Sequence, residues 1–174
     1  MRWLPFQLNP DLPEGGIPRE EYVARKFGAR GKGVNERVAM AGRQVGIPFA
    51  YEKMKVQPNT LNAHRLMHYA ERTGKQDEVA EELFRAHFTE GANLTDREAL
   101  ADIAGRAGLD RKAVAAYLAS DEDRALIEQG DQEARSNGIG GVPFFIFNRK
   151  IGVSGAQDPD TLVDEMEQAL QEQG

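Results

Sequence analysis

The sequence predicts an α/β protein in which a small sheet is split by a long helical insertion. Three observations carry this. In the opening segment, Trp3, Pro5 and Gln7 alternate with Leu4, Phe6 and Leu8, the period of a strand. From Pro18 to Asn137 one helical pattern follows another, with no repeat period and no low-complexity stretch. After Asn137 the character changes: "VPFFIFN" and "IGVSG" are β-rich, and "DPDTLVDEMEQAL" is amphipathic.

Each element has its own signals. Arg2–Leu8 reads as a strand near a sheet edge because of Pro5, and "DLPEGG" ends it. "IPREEYVARKFG" starts a helix at Pro18 and stops it at Gly28. "GARGKGVNER" reads as a flexible interhelical loop, and "VNERVAMAGRQVG" as a helix with Val34, Val38, Ala41 and Val45 on its buried face. Asn59 is the expected N-cap of "NTLNAHRLMHYAERTG", with Leu61, Leu66 and Met67 inward and Gly74 past its end. "DEVAEELFRAHF" is expected to bury Val79, Leu83 and Phe84, and Thr95 with Glu98 forms a capping box for "TDREALADIAGRAG". Two more helices complete the insertion. Arg149 and Lys150 then separate the arms of a tight hairpin, and Asp158 caps a last helix with Pro159 in its first position and Leu162, Val163, Met166 and Leu170 as its apolar stripe.

The bulk numbers exclude several classes. With 174 residues and 40% hydrophobic content the chain can bury a core of its own. The net charge of -6 is spread among interleaved acids and bases, which predicts neither a nucleic-acid groove nor an anionic membrane as partner. No apolar run is long enough to span a bilayer. There is no cysteine, so the chain holds neither a disulfide framework nor a thiolate of its own.

The stretch "GIGGVPFFIFNRK" raises a sharper question: a proline stands directly before the most strand-like run. Pro143 can simply start the strand, since it has no N–H to give a ladder. It can also be a cis proline, with the preceding glycines allowing the reversed bend and the Val142 backbone groups turned outward to pair with an extended peptide.

"GIGGVPFFIFNRKIGVSGAQDPDTLVDEMEQAL" resembles the C-terminal part of the DsbA superfamily of thioredoxin-fold proteins and is most similar to its FrnE-like branch. The shared features are Gly141-Val142-Pro143, the hairpin, Ser154-Gly155-Ala156-Gln157 and the final helix. "QPNTLNAHRLMHYA" and "ELFRAHFTEGANLTDREALADIAGRAGLD" resemble the helical insertion of that branch, and "WLPFQLNPDLPEGGI" its second strand and following loop. The resemblance implies a thioredoxin-like fold with residues 1–17 and 138–174 in the thioredoxin-like domain and residues 18–137 mainly in the helical segment. In the family a first strand and a first helix flank a Cys-x-x-Cys, and the first strand is central in the sheet. Nothing in this sequence matches that unit. The expectation is therefore a truncated or misannotated start with two exposed sheet edges; a real short paralogue and a unit supplied by a separate polypeptide are the alternatives.

The activity that the resemblance implies is protein disulfide exchange. This chain has no catalytic residue for it: it supplies substrate-docking residues, Gly141, Val142 and Pro143, and is inactive as it stands. One alternative is a glutathione-dependent isomerase or transferase of the hydroxychromene carboxylate isomerase or kappa-class type. Ser154 and Gln157, before a helix that attracts anions, and Asn59 and Thr60 are the substrate-binding candidates for that chemistry. A non-catalytic peptide-binding module is a third reading. No resident cofactor is expected, glutathione being a ligand of the alternative. Expected partners are protein or peptide thiols and disulfides, or glutathione, with self-association through open sheet edges. Relatives of the branch work in the cytosol, which implies the same here.

Two further patterns point to ordinary structure. His64 and His68 have metal-ligand spacing, but Arg65 follows the first histidine and no carboxylate or cysteine cluster accompanies them, so one ring is expected to pack and the other to be solvated. His87 is expected as a polar tip on a packed face. In "GARGKGVNER" Gly33 follows Lys32 where a phosphate-binding loop needs Ser or Thr.

Overall fold

Apolar side chains at helical spacing close the middle of the chain into a bundle, and the β-rich ends lie against or beyond it. The computed structural model describes residues 1–28 and 31–171. In chain order the elements are β1 (Ile17–Pro18), α1 (Arg19–Phe27), α2 (Gly31–Gln44), a 3-10 turn (Tyr51–Lys53), β2 (Val56–Gln57), α3 (Leu61–Glu71), α4 (Gln76–Arg85) and a π-helical turn (Ala86–Glu90). Then come α5 (Arg97–Arg106), α6 (Arg111–Ala119), α7 (Arg124–Ser136), β3 (Phe144–Phe147), β4 (Ile151–Ser154) and α8 (Pro159–Gln171).

The core sits among α3 to α6. Leu66, Val79, Leu100, Val114 and Leu118 have no solvent exposure, and Ala70, Ala86, Ala101 and Ala104 between them let the helices approach closely. Two aspartates start helices in this bundle. Asp96 accepts from the Glu98 and Ala99 N–H groups, and Asp110 from those of Lys112 and Ala113, each cap contributing about 1 kcal/mol. The box expected from Thr95 and Glu98 is not formed. Thr95 turns to the Asn93 side chain at 2.9 Å, and its neighbour Asp96 is the N-cap.

A buried arginine ends α6. Arg65, 1% exposed, donates to the carbonyls of Tyr117 at 3.0 Å, Ser120 at 2.8 Å and Glu122 at 2.9 Å. Its remaining Nη1 binds the Asn62 side chain at 2.9 Å, and the guanidinium lies 4.9 Å from the Tyr117 ring. A helix C-terminus leaves carbonyls without partners and carries partial negative charge. A cation with five donors answers both needs at once.

Several expectations are corrected. Among the described residues Arg2–Leu8 joins no ladder and has no strand beside it, and its backbone bonds to side chains instead. The segment read as a loop, residues 28–37, is helical from Gly31 onward; Ala29 and Arg30 lie outside the described residues. On α2, Val38 and Val45 are 41% and 73% exposed and Ala41 is exposed as well, while the side chain of Val34 lies outside the described residues. That helix instead presents Gly42, where a Cβ would come within 2.4 Å of the Phe49 ring. Phe84 is 53% exposed: it bridges the rings of Trp3 and Phe88, 6.3 and 6.2 Å away, at the boundary of the bundle. On α8, Val163, Met166 and Leu170 are exposed and only Ala169 is buried, since β3 and β4 cover one side of the helix and, among the described residues, nothing covers the rest.

The sheets are small. Ile17 and Pro18 pair antiparallel with Gln57 and Val56, and β3 pairs antiparallel with β4 from Phe144 opposite Ser154 to Phe147 opposite Ile151. The hairpin loop has three residues rather than two: Asn148, Arg149 and Lys150, the first two at φ 52° and 59°.

Arg65→Leu is expected to lower unfolding free energy by about 3 kcal/mol, because it strands several buried carbonyls, and Arg65→Lys to recover only part of that. Urea denaturation followed by circular dichroism measures both.

Candidate functional site

The hairpin places the sequence-nominated residues by its hydrogen-bond register. The Val142–Pro143 peptide bond is cis. The Pro143 carbonyl accepts from the Gly155 N–H at 2.9 Å, which makes this a hydrogen-bonded pair. Bonded and non-bonded pairs alternate in an antiparallel ladder. Phe145 and Phe147 therefore face β4 with their backbone groups, while those of Phe144 and Ile146 face away from it, and the backbone groups of Val142 have no partner among the described residues. Val142 and Ile146 also expose 48% and 47% of their side chains. Beneath this edge the Phe144 ring covers Gly152, where a Cβ would meet it at 2.9 Å. The free edge is thus a ledge of backbone groups backed by an aromatic layer.

Ser154 and Gln157 lie at the far arm. Ser154 is opposite Phe144, its carbonyl accepts from the Gln157 side chain at 2.9 Å, and the Gln157 N–H binds the Gly155 carbonyl at 3.1 Å. The start of α8 is already capped. Asp158 accepts from the Thr161 N–H and hydroxyl, both at 3.1 Å, and those bonds hold its carboxyl below the usual range.

Asn59 and Thr60 stand elsewhere, at the start of α3. Asn59 donates to the Leu12 carbonyl at 2.7 Å and accepts from the Leu61 N–H at 2.9 Å, while Thr60 makes no side-chain capping bond. Asn59 borders a polar cleft of about 410 Å³ lined also by Gln7, Leu12, Arg124, Asp131 and Arg135. Gly141, Val142, Pro143, Ser154 and Gln157 are gathered on the hairpin, and no hydrogen bond joins them to Asn59 or Thr60 among the described residues.

The opening ribbon is held by side chains. Gln76 accepts from the Trp3 N–H at 3.1 Å and donates to the Trp3 carbonyl at 3.2 Å. Asp131 accepts from the Gln7 N–H at 2.7 Å, and Arg135, which is paired to Asp131 at 2.9 Å, donates to the Gln7 carbonyl. The Arg135 guanidinium lies 4.5 Å from the Phe6 ring. Sequence reasoning missed Gln76, Asp131 and Arg135; the one available signal was an i,i+4 acid–base pair on a predicted helix. His68 lies near the carboxylates of Glu71 and Asp123, at 3.6 and 3.8 Å, and buried His87 meets the Ala92 carbonyl at 3.2 Å.

The family model of the DSBA-like thioredoxin domain matches residues 1–167. This chain belongs to that family. The fold is thioredoxin-like and of the DsbA type: a crystal structure of a probable DsbA oxidoreductase from Streptomyces coelicolor superposes with a TM-score of 0.87 at 26% identity, covering 97% of this chain and 74% of that one. No curated protein matches the sequence. DsbA-like thiol oxidoreductases act on protein thiols and disulfides. This DsbA-family chain has no cysteine, and among the described residues no helix is long and apolar enough to cross a membrane.

Burial pushes the His64 imidazole down to about 4, against the opposing pull of the Phe6 carbonyl and Asp131. A histidine held neutral in the fold and titrating near 6.5 when unfolded gives stability that is whole above pH 6.5 and is lost as pH falls towards 4. The loss is on the order of 3 kcal/mol. His64→Gln is expected to flatten this part of the pH dependence, read as the difference between variant and parent in urea unfolding across that range.

Proposed function

We propose that this chain is the substrate-docking part of a FrnE-like thiol–disulfide oxidoreductase. Residues 1–17 and 138–174 form its thioredoxin-like part and residues 18–137 its helical insertion. The observation that carries the reading is the Val142 backbone beside Pro143, whose N–H and carbonyl have no hydrogen-bond partner among the described residues. An extended substrate backbone adds to such an edge as a strand. In the exchange itself a thiolate attacks one sulfur of the substrate disulfide, forming a mixed disulfide and releasing the other sulfur as a thiolate. With no cysteine in the chain, that thiolate comes from a cysteine that is not among these residues. Here the polypeptide aligns the substrate and does not attack it. The resemblance to the FrnE-like branch carries a cytosolic location with it.

The glutathione-dependent alternative is less well supported. It seats a carboxylate near Ser154 and Gln157, where Asp158 already holds the Thr161 N–H in the first turn of α8 and adds a negative charge of its own. Gln157 is engaged with the Ser154 carbonyl.

A peptide carrying an intramolecular disulfide is expected to shift the amide resonances of Val142, Phe144 and Ile146, and Val142→Pro, which removes one donor of the ledge, to weaken the binding while circular dichroism stays unchanged. The chain alone is expected not to accelerate insulin reduction by dithiothreitol. Shifts from glutathione at Ser154 and Gln157, with none from the peptide at Val142, would reverse the choice between the two readings.

A further inference from the structure

The last turn of α7 is closed by two residues that are also reactive towards each other. Gly138, at φ 83°, reverses the chain past the helix, and glycine takes this left-handed conformation without the penalty of a Cβ. Its N–H donates to the Arg135 carbonyl at 3.0 Å, and the next N–H, of Ile139, reaches back to the Ala134 carbonyl at 3.1 Å. Asn137 holds the capping position. Its backbone N–H and its side-chain amide both donate to the Glu133 carbonyl, at 3.0 and 2.9 Å. Asn137 is the one asparagine of this chain that precedes a glycine. In such a pair nothing branches beside the glycine nitrogen, so it can approach the carbonyl carbon of the asparagine side chain. Both residues are exposed, so water and hydroxide reach them.

We propose that Asn137–Gly138 is a site of spontaneous deamidation, that opening of the last turn of α7 sets its rate, and that the product holds the turn open. Hydroxide removes the Gly138 N–H proton, and the nitrogen attacks Cγ of Asn137. A C–N bond forms, the Cγ–Nδ2 bond breaks, and the side-chain nitrogen leaves as ammonia with a proton from water, which restores the hydroxide. Water then opens the cyclic imide at one carbonyl or the other, giving aspartate or isoaspartate. In the closed turn neither reactant is free. The Arg135 carbonyl holds the Gly138 N–H, and the Glu133 carbonyl holds the Asn137 side chain. Both bonds must break first, so the rate follows the fraction of molecules in which this end of the helix is open. The product does not close the turn in the same way. A carboxylate has no N–H for the Glu133 carbonyl, and it sets a negative charge at the negative end of the helix dipole. Isoaspartate also lengthens the main chain by a methylene. The residues from Gly138 to Val142 join α7 to the hairpin, so the change falls on the tether between the bundle and β3. The inference stands on the helix end alone, whatever the hairpin binds.

The test follows the tryptic peptide Ser136–Arg149 by mass spectrometry while the whole chain stands in mildly alkaline buffer, beside the same chain unfolded in guanidinium chloride. The mass shift of an amide becoming an acid is expected at Asn137 and not at Asn148, and about tenfold or more slowly in the folded chain than in the unfolded one. Ala134→Gly loosens the last turn and leaves the reacting pair intact. It is expected to speed conversion of the folded chain several-fold and to leave the unfolded rate unchanged. In Asn137→Asp, amide hydrogen exchange at Gly138 and Ile139 is expected to be about tenfold faster than in the parent. No conversion of the folded chain by the time the unfolded chain is fully converted overturns the site. Equal rates in the two, or no acceleration by Ala134→Gly, overturn the control by helix opening. Unchanged exchange in Asn137→Asp overturns the claim that the product holds the turn open.

Discussion

A peptide group needs a partner, and the ends of this chain are organised by who supplies it. In the helical bundle each helix pairs its own backbone. At the two β-rich ends it cannot, and the molecule divides the task. One side of the ribbon is satisfied by Gln76, Asp131 and Arg135, and one side of the hairpin by its own second arm. What remains unmatched is directional, and directional vacancies are what make a surface selective for strands rather than merely sticky.

The bundle is the anchor for this arrangement. Gln76 opens α4, and Asp131 and Arg135 sit one helical turn apart on α7, so the ribbon is positioned by elements whose own placement comes from packing around Leu66, Leu100 and Leu118. Arg65 belongs to the same logic at another place, closing the end of α6 through carbonyls of Tyr117 and Ser120. The aromatic series of Trp3, Phe84 and Phe88 then lays the ribbon's first residues along the side of the bundle. Helical packing thus reaches the sheet-forming termini through a few polar side chains.

Much of this was legible from local pattern. The helices of the insertion, the hairpin, the Asp158 cap and the gathering of Gly141, Val142 and Pro143 beside Ser154 and Gln157 all follow from spacing and turn chemistry over short distances. What escaped reading depends on what comes near in three dimensions. Thr95 and Asp96 are both able to cap, and only the backbone path chose Asp96. Val38 and Val45 look inward by period alone, yet burial requires something to lie against, and α2 spends its close contact on Gly42 and Phe49. The clamps on Trp3 and Gln7 join residues 73 and 124 positions apart, which no periodicity encodes. The same holds for the Arg2–Leu8 strand: its alternation predicts extended backbone but is silent on whether a neighbour is there to complete a ladder.

The hairpin turn carries a consequence for the ledge. The Asn148 side chain donates to the Ala169 carbonyl at 3.1 Å, joining the tip of the turn to the last stretch of α8. With Gly155 tied to Pro143 at the opposite end, the two arms are fastened to each other at the end away from the turn. A chain laid along the exposed rim is thereby coupled through Asn148 to the terminal helix, so the setting of that rim depends on a residue outside it.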